Sequence, residues 1–199
     1  MDDGPRRTGF HHVAYACRDA EATRHFYEDL LGMPLVHTEV KADEGPGGGF
    51  FRHLFFDTGD GTCIAFFEVR GVGERDDYST EVSTGNGLPV WVNHVAFAAD
   101  EERARAAEER LAADGIVPLM EVDHGWCVSL YFLDPNGIMV EFCRDTEGFA
   151  VDPSGARALL DTTDATDEST FLRPVDLAGL RGFNPLPAAV EPAAASEGD

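Results

Sequence analysis

Lysine is almost absent from this chain. Lys41 stands alone, and all basic side chains number 15 against 37 Asp and Glu, a formal charge of −22. Such a surface opposes binding to nucleic acid or to an anionic membrane, both of which rest on Lys and Arg meeting phosphate. No apolar run approaches the roughly 20 residues that span a bilayer, and the opening MDDGPRRTG lacks the apolar core of a secretory signal. The expectation is a globular cytoplasmic protein with neither nucleic acid nor membrane as partner. Cysteine is sparse as well: Cys17, Cys63, Cys127 and Cys143 are scattered without C-x-x-C spacing, so they read as reduced core or pocket residues and not as a disulfide framework.

What is present suffices for a sizeable core: 199 residues, 43% of them hydrophobic. Residues 10–17 alternate like a strand, and Asp19 is placed to cap a helix with Phe26, Leu30 and Leu31 on one face and Gly32 as its stop. Residues 33–42 read as a second strand, the Gly-rich 45–49 as a loop, and 50–69 as two strands joined by a Gly-Asp-Gly turn. After a Gly-, Asp- and Ser-rich linker at 71–90 the pattern returns. His94-Val95-Ala96-Phe97-Ala98 overlies His12-Val13-Ala14-Tyr15-Ala16, a strong helix pattern occupies 101–115, and strands follow. The order β-α-β-β-β thus occurs twice, in residues 10–70 and 91–145, and predicts an α+β fold of two tandem modules forming a curved mixed sheet. Residues 1–9 form an N-terminal arm. Residues 146–199 form an extension with one short helix, a proline-broken apolar stretch laid over the body, and a disordered end of ~12 residues.

Residues 123–144, DHGWCVSLYFLDPNGIMVEFCR, concentrate the chemistry. They carry a tight Asp134-Pro135-Asn136-Gly137 turn and Glu141, flanked by Val140 and Phe142 in a strand pattern. A carboxylate in an apolar strand is costly to bury unless it is paired or binds a metal. Alternation puts His12, Ala14 and Ala16 on one face and His94, Ala96 and Ala98 on the equivalent one, with small alanines leaving room for a ligand. If the two copies share one sheet, His12, His94 and Glu141 converge as two His and a carboxylate, the facial triad of non-haem Fe(II) oxygenases. His11, His25 and His37 read as structural, and the Phe50-Phe51 and Phe55-Phe56 run reads as core, with some of it available to an aromatic pocket.

The doubled unit, with HHVAY and FYEDLLG in one copy and NHVAF and YFLDPNGIMVEF in the other, resembles the vicinal oxygen chelate superfamily over about residues 10–145. That superfamily includes glyoxalase I, epimerases, fosfomycin-resistance transferases, bleomycin-resistance proteins and extradiol dioxygenases. The resemblance implies a divalent metal held between the modules by His12, His94 and Glu141. The run Val122-x-His124, Leu130-Tyr131, Asp134-Pro135-x-Gly137, Glu141 is similar to the local motif of type I extradiol dioxygenases, which implies His124 and Tyr131 beside the substrate. Those enzymes carry an acid–base His where this chain has Gly61-Thr62-Cys63, leaving His53, one strand earlier, as the candidate substitute. Glyoxalase-like members add a fourth ligand from the first module. Here Ala65 aligns with Glu141, and Glu68 becomes that ligand only if a bulge turns it.

The expected function is therefore an Fe(II) extradiol-type dioxygenase using O2 on a small catecholic or aromatic substrate, with Mn, Ni, Zn and Co as alternative metals. Two alternatives stand beside it: a glyoxalase- or epimerase-like lyase or isomerase, and a metal-free binder of the bleomycin-resistance kind. Members often form dimers, and residues 146–199 offer apolar surface for one.

Overall fold

The computed structural model describes residues 9–42, 48–75, 77–160, 162 and 170–173. In the first module β1 (His12–Cys17) pairs parallel with β4 (Cys63–Arg70), which pairs antiparallel with β3 (Phe50–Asp57), and β3 with β2 (Leu35–Ala42). The second module repeats this order with β5 (His94–Ala98), β8 (Met139–Asp145), β7 (Cys127–Leu133) and β6 (Met120–Asp123). One further strand, β9 (Thr170–Arg173), lies antiparallel to β6. A parallel pair needs a long crossover, and α1 (Ala20–Arg24) with its π-helical continuation His25–Leu30, and α2 (Glu101–Ala113), begin the two crossovers. The α+β fold of tandem modules is as expected, with a separate mixed sheet in each: β1-β4-β3-β2 and β5-β8-β7-β6-β9. Among the described residues β1 and β5 are both sheet edges, and no ladder joins them.

Local signals set the crossovers. Asp19 caps α1, its carboxylate accepting from the backbone N–H of Glu21 and Ala22 at 2.9 Å each, and Gly32 ends the helical run with a φ of +72°. The π-helical widening brings adjacent residues Phe26 and Tyr27 into the core together with Leu30. Asp100 caps α2 by accepting from Arg103 N–H at 2.8 Å, and Gly115 follows it at φ +82°.

Strand alternation decides what each module buries. Tyr15 and Cys17 of β1, Ile64 and Phe66 of β4, and Leu54 and Phe56 of β3 face α1 and meet Phe97, Leu130, Val140 and Phe142 of the second sheet in one shared cluster. The modules therefore pack back to back through their helical sides, and the His-bearing faces of β1 and β5 point outward from this core. The segment between the modules is pinned in place: Thr80 donates to the Asn136 carbonyl at 2.9 Å, and the buried Ser83 accepts from Asn93 N–H at 2.8 Å. In the extension, α3 (Pro153–Leu159) is the expected short helix. Arg173 in β9 forms ion pairs with Glu108 and, at 2.8 Å, Glu121. The expected disordered end lies outside the described residues. Among those residues no helix is long and apolar enough to cross a membrane.

The Asp134-Pro135-Asn136-Gly137 turn ties the modules together. Asp134 is 4% exposed and accepts from Tyr27 Oη at 3.0 Å, Asn136 N–H at 2.8 Å and Ile138 N–H at 2.7 Å. Burial outweighs these donors and pushes its carboxyl up to about 6. The folded state therefore binds a proton more tightly than the unfolded chain, and stability falls as pH rises through that value. Relative to Asp134→Asn, the wild-type unfolding free energy should drop by about 1.4 kcal/mol between pH 5 and pH 8. Urea titrations of both proteins at the two pH values measure it, and parallel pH profiles would refute the shift.

Candidate metal centre

The parallel pairing of β5 with β8 builds the centre. Ala96 lies opposite Glu141 and His94 opposite Met139, so alternation puts His94 and Glu141 on the same face, one step apart on neighbouring strands. His94 Nε2 comes to 3.1 Å from Glu141 Oε2. Its Nδ1 lies 2.8 Å from the Trp91 carbonyl, which can only accept, so Nδ1 carries the proton and Nε2 is presented to the carboxylate. Glu141 is 5% exposed, and its other oxygen accepts from Ser129 Oγ at 2.5 Å. Burial acts to raise the Glu141 carboxyl, but the hydrogen bonds from His94 and Ser129 outweigh it and hold the group below its ordinary value. The Glu141 carboxylate in turn raises the His94 imidazole.

This arrangement suits a divalent ion. Two groups with lone pairs aimed at each other need a cation between them, either a proton or a metal. The Nδ1–H bond to a backbone carbonyl is the contact that orients metal-ligating histidines. The ion would be held by His94 and Glu141.

Tyr131 pairs directly across from Glu141 on β7, and its hydroxyl is 3.0 Å from His124 Nε2. Burial, with the Glu141 charge behind it, raises the Tyr131 phenol and keeps it protonated. Four of the sequence candidates, His94, Glu141, Tyr131 and His124, are thus brought together on the second sheet.

His12 does not join them within the chain. Its ring meets His11 (Nδ1 to Nδ1, 2.8 Å), His53 (centroids 6.2 Å apart) and Phe55 (5.4 Å), all in the first module. The reason is the back-to-back packing, which leaves β1 and β5 on separate sheets. His53 shares the face of His12, stacks on Phe67 at 3.7 Å, and has a buried Nε2 without a hydrogen-bond partner among the described residues. Burial, and then the neighbouring His12, hold its imidazole below the ordinary value.

Glu68 requires a correction. The β1–β4 and β3–β4 ladders run without a bulge, and Ala14 pairs with Ala65 as Ala96 pairs with Glu141. Glu68 therefore points to the face opposite His12, where it is 4% exposed and engaged by Arg52 and, at 2.8 Å, by Arg70. It is a buried ion-pair acceptor and supplies no ligand to the His-bearing face.

Ser129, Cys127 and Cys143 are neighbours of Glu141; from the sequence the two cysteines read as reduced core or pocket residues without being placed beside Glu141, and Ser129 is not singled out. The ligand atoms of Cys127, Glu141 and Cys143 all lie within 4.8 Å of one another. The period of two in CVSLYFL and MVEFCRD was the signal: Cys127, Ser129 and Tyr131 alternate onto one face, as do Glu141 and Cys143.

The raised His94 imidazole has a measurable consequence. A folded-state value above the unfolded one means that this pair contributes stability below the ordinary pKa near 6.5, and the contribution is lost as pH rises through the folded value. In metal-free protein, imidazole NMR should place the His94 titration above the ordinary value, and Glu141→Gln should lower it. An unchanged midpoint in the variant would dissociate the two residues.

The sequence model of the Glyoxalase/Bleomycin resistance protein/Dioxygenase superfamily matches residues 9–142. The chain is 32% identical over 134 residues to a Bacillus subtilis (strain 168) protein named putative ring-cleaving dioxygenase MhqA. The match takes in 67% of this chain and 38% of that relative, so the chain spans well under half of the relative's length. Among solved structures it resembles a glyoxylase/bleomycin resistance protein/dioxygenase domain from Frankia sp. EAN1pec, with a TM-score of 0.51 and 22% identity over 72% of this chain and 96% of that one. With both modules matched by the family and its fold shared by the Frankia domain, this chain belongs to the Glyoxalase/Bleomycin resistance protein/Dioxygenase superfamily.

Proposed function

We propose that this chain is a divalent-metal-dependent ring-cleaving dioxygenase of the extradiol type, acting with O2 on a small catecholic substrate. The observation that carries this is the His94 and Glu141 pair, 3.1 Å apart, with the far nitrogen of His94 fixed on the Trp91 carbonyl. The relationship to a protein named as a ring-cleaving dioxygenase supports the choice of reaction. With His12 as third donor the set is two imidazoles and one carboxylate, the N/O composition of Fe(II) oxygenase sites, and open positions remain for substrate and O2. Bound Fe(II) would supply chelation of two adjacent substrate oxygens and one-electron chemistry toward O2.

The surrounding side chains have assignable parts. Tyr131 keeps its phenolic proton and donates it toward charge developing on a substrate oxygen, with His124 Nε2 at 3.0 Å as its relay. His53, whose imidazole burial holds below its ordinary value, would offer its Nε2, without a hydrogen-bond partner among the described residues, as a base toward a substrate hydroxyl. Phe55 and Phe67 beside it give that face an apolar, aromatic wall.

His12 and His53 reach the His94 side only from a second copy of the chain. The exposed edge of β1 in one copy lies along the exposed edge of β5 in the other, and the two-fold relation closes both edges at once and completes two sites. The lyase or isomerase alternative needs a further carboxylate from the first module. Glu68 was its candidate, and that side chain is turned away and paired with Arg52 and Arg70.

Anaerobic purification should yield iron at close to one equivalent per chain, and the protein should consume oxygen with at least one member of a catechol panel. Iron-loaded protein inert toward every catechol would overturn the dioxygenase reading, and metal-free protein would favour a binder. His12→Ala, His94→Ala and Glu141→Ala should each abolish iron binding, and stoichiometric iron in any of them would remove that residue from the site. Co-refolding His12→Ala with His94→Ala should restore about a quarter of wild-type metal content, because half of randomly paired dimers then hold one intact site. No restoration would place all three ligands in one chain.

A further inference from the structure

The cluster around Glu141 contains more donors than that reading uses. Cys127, Cys143 and Glu141 present two sulfurs and an oxygen within 4.8 Å of one another, on the central β7–β8 ladder of the second sheet. In four-coordinate zinc, metal–sulfur bonds of about 2.3 Å and metal–oxygen bonds of about 2.1 Å at tetrahedral angles hold donors about 3.6–3.8 Å apart, so the cluster would close by up to about 1 Å on binding. The donors are rigidly based: Ser129 pairs with Cys143 and Tyr131 with Glu141 in an unbroken ladder. Cys127 is buried, and Ser129, also buried, lies 3.6 Å from its sulfur and donates to Glu141. Cys143 borders an open cleft of about 550 Å³ that also reaches Ala96 and Ala98, which gives a path from solvent.

A disulfide explains the two thiols less well. Cys127 pairs with Asp145 while Cys143 pairs with Ser129, so the cysteines are diagonal neighbours on antiparallel strands. Diagonal positions are about 7–8 Å apart at Cα, whereas a disulfide spans about 4.4–6.8 Å without backbone movement. A sulfur–metal–sulfur bridge is longer by a whole atom and spans the diagonal.

We propose that Cys127, Cys143 and Glu141 form a three-donor binding position for a thiophilic cation of the Zn2+ or Cd2+ class, with water completing the coordination. This position is complete within one chain, since it needs no residue of the first module. On binding, each thiol releases its proton to solvent and each sulfur gives an electron pair to the ion, with no change of oxidation state. Soft thiolates select zinc-like ions over the hard ions that suit carboxylate and water. The inference shares Glu141 with the proposed iron centre but stands on the sulfurs, and it predicts that zinc-class ions compete with iron for this chain.

The test is titration of the reduced, metal-free full chain with Cd2+, read as ultraviolet thiolate-to-cadmium charge-transfer absorption. Wild type should develop the band at one equivalent, and so should His12→Ala and a Cys17→Ser, Cys63→Ser double variant. Cys143→Ser should weaken Cd2+ binding by more than about tenfold and diminish the band. Cys127→Ser, Cys143→Ser should lose the band, with circular dichroism confirming that the chain still folds. Should Cys127→Ser fail to fold, the half-buried Cys143→Ser decides alone. A wild type without the band, or a band unchanged in Cys143→Ser, overturns the proposal. Mn2+ binding measured in parallel separates the two readings: His12→Ala should lose Mn2+ and keep the cadmium band, and Cys143→Ser should keep Mn2+.

Discussion

A carboxylate buried in the middle of a sheet sets the terms for everything around it. Glu141 is held ionised by hydrogen bonds from His94 and Ser129 against the cost of its burial. That balance depends on one piece of geometry, the parallel register in which Ala96 faces Glu141 and His94 stands one step away on the same side. A slip of one residue would send Glu141 into the apolar cluster with Phe142 and Val140 and turn both of those outward. The crossover helix, its cap at Asp100 and the turn at Asp134 all serve to bring the two strands together in this register.

The first module shows what the same geometry does without the carboxylate. Ala65 occupies the place of Glu141, and the face carries His12, His53, Phe55 and Phe67 instead. One sheet offers the anionic half of a site and the other an aromatic, imidazole-bearing half. Each half ends in an edge strand carrying its histidine, and neither edge has a partner in the chain among the described residues. The apolar sides of both sheets are already used in the shared core, so these edges are the backbone donors and acceptors that the described residues leave open to water or to a further strand.

What the sequence revealed is the local part of this. The repeat, the caps at Asp19 and Asp100, the stops at Gly32 and Gly115 and the turn before Glu141 are all carried by neighbours within a few residues, and alternation then assigns each side chain to a face. The placement of Glu68 was also within reach, since an unbulged strand puts it opposite His12; its partners Arg52 and Arg70 were the missing evidence. The separation of His12 from His94 within the chain was not legible. It depends on which edge of which sheet meets which, and that is decided by tertiary packing of two equally amphipathic modules. The closeness of the two thiols to Glu141 was not legible for a different reason: a spacing of 16 residues between Cys127 and Cys143 carries no motif, and only the ladder register brings them near each other.

Net charge adds a constraint on what approaches the site. A formal charge of −22 draws divalent cations toward the surface and repels anions, although screening confines the effect to within about 8 Å at physiological salt. The field therefore concentrates metal without choosing among metals, and choice falls to the donors. Around Glu141 these run from imidazole on one side to thiol on the other, so under the two proposals hard and soft ions would compete for overlapping positions. The same field disfavours multiply anionic substrates, and Lys41, on the His-bearing face of the first sheet, is already paired with Glu39 at 2.8 Å. A neutral, planar catechol, the substrate class proposed, would meet no such barrier beside Phe55, Phe67 and the His53 Nε2, which lacks a hydrogen-bond partner among the described residues.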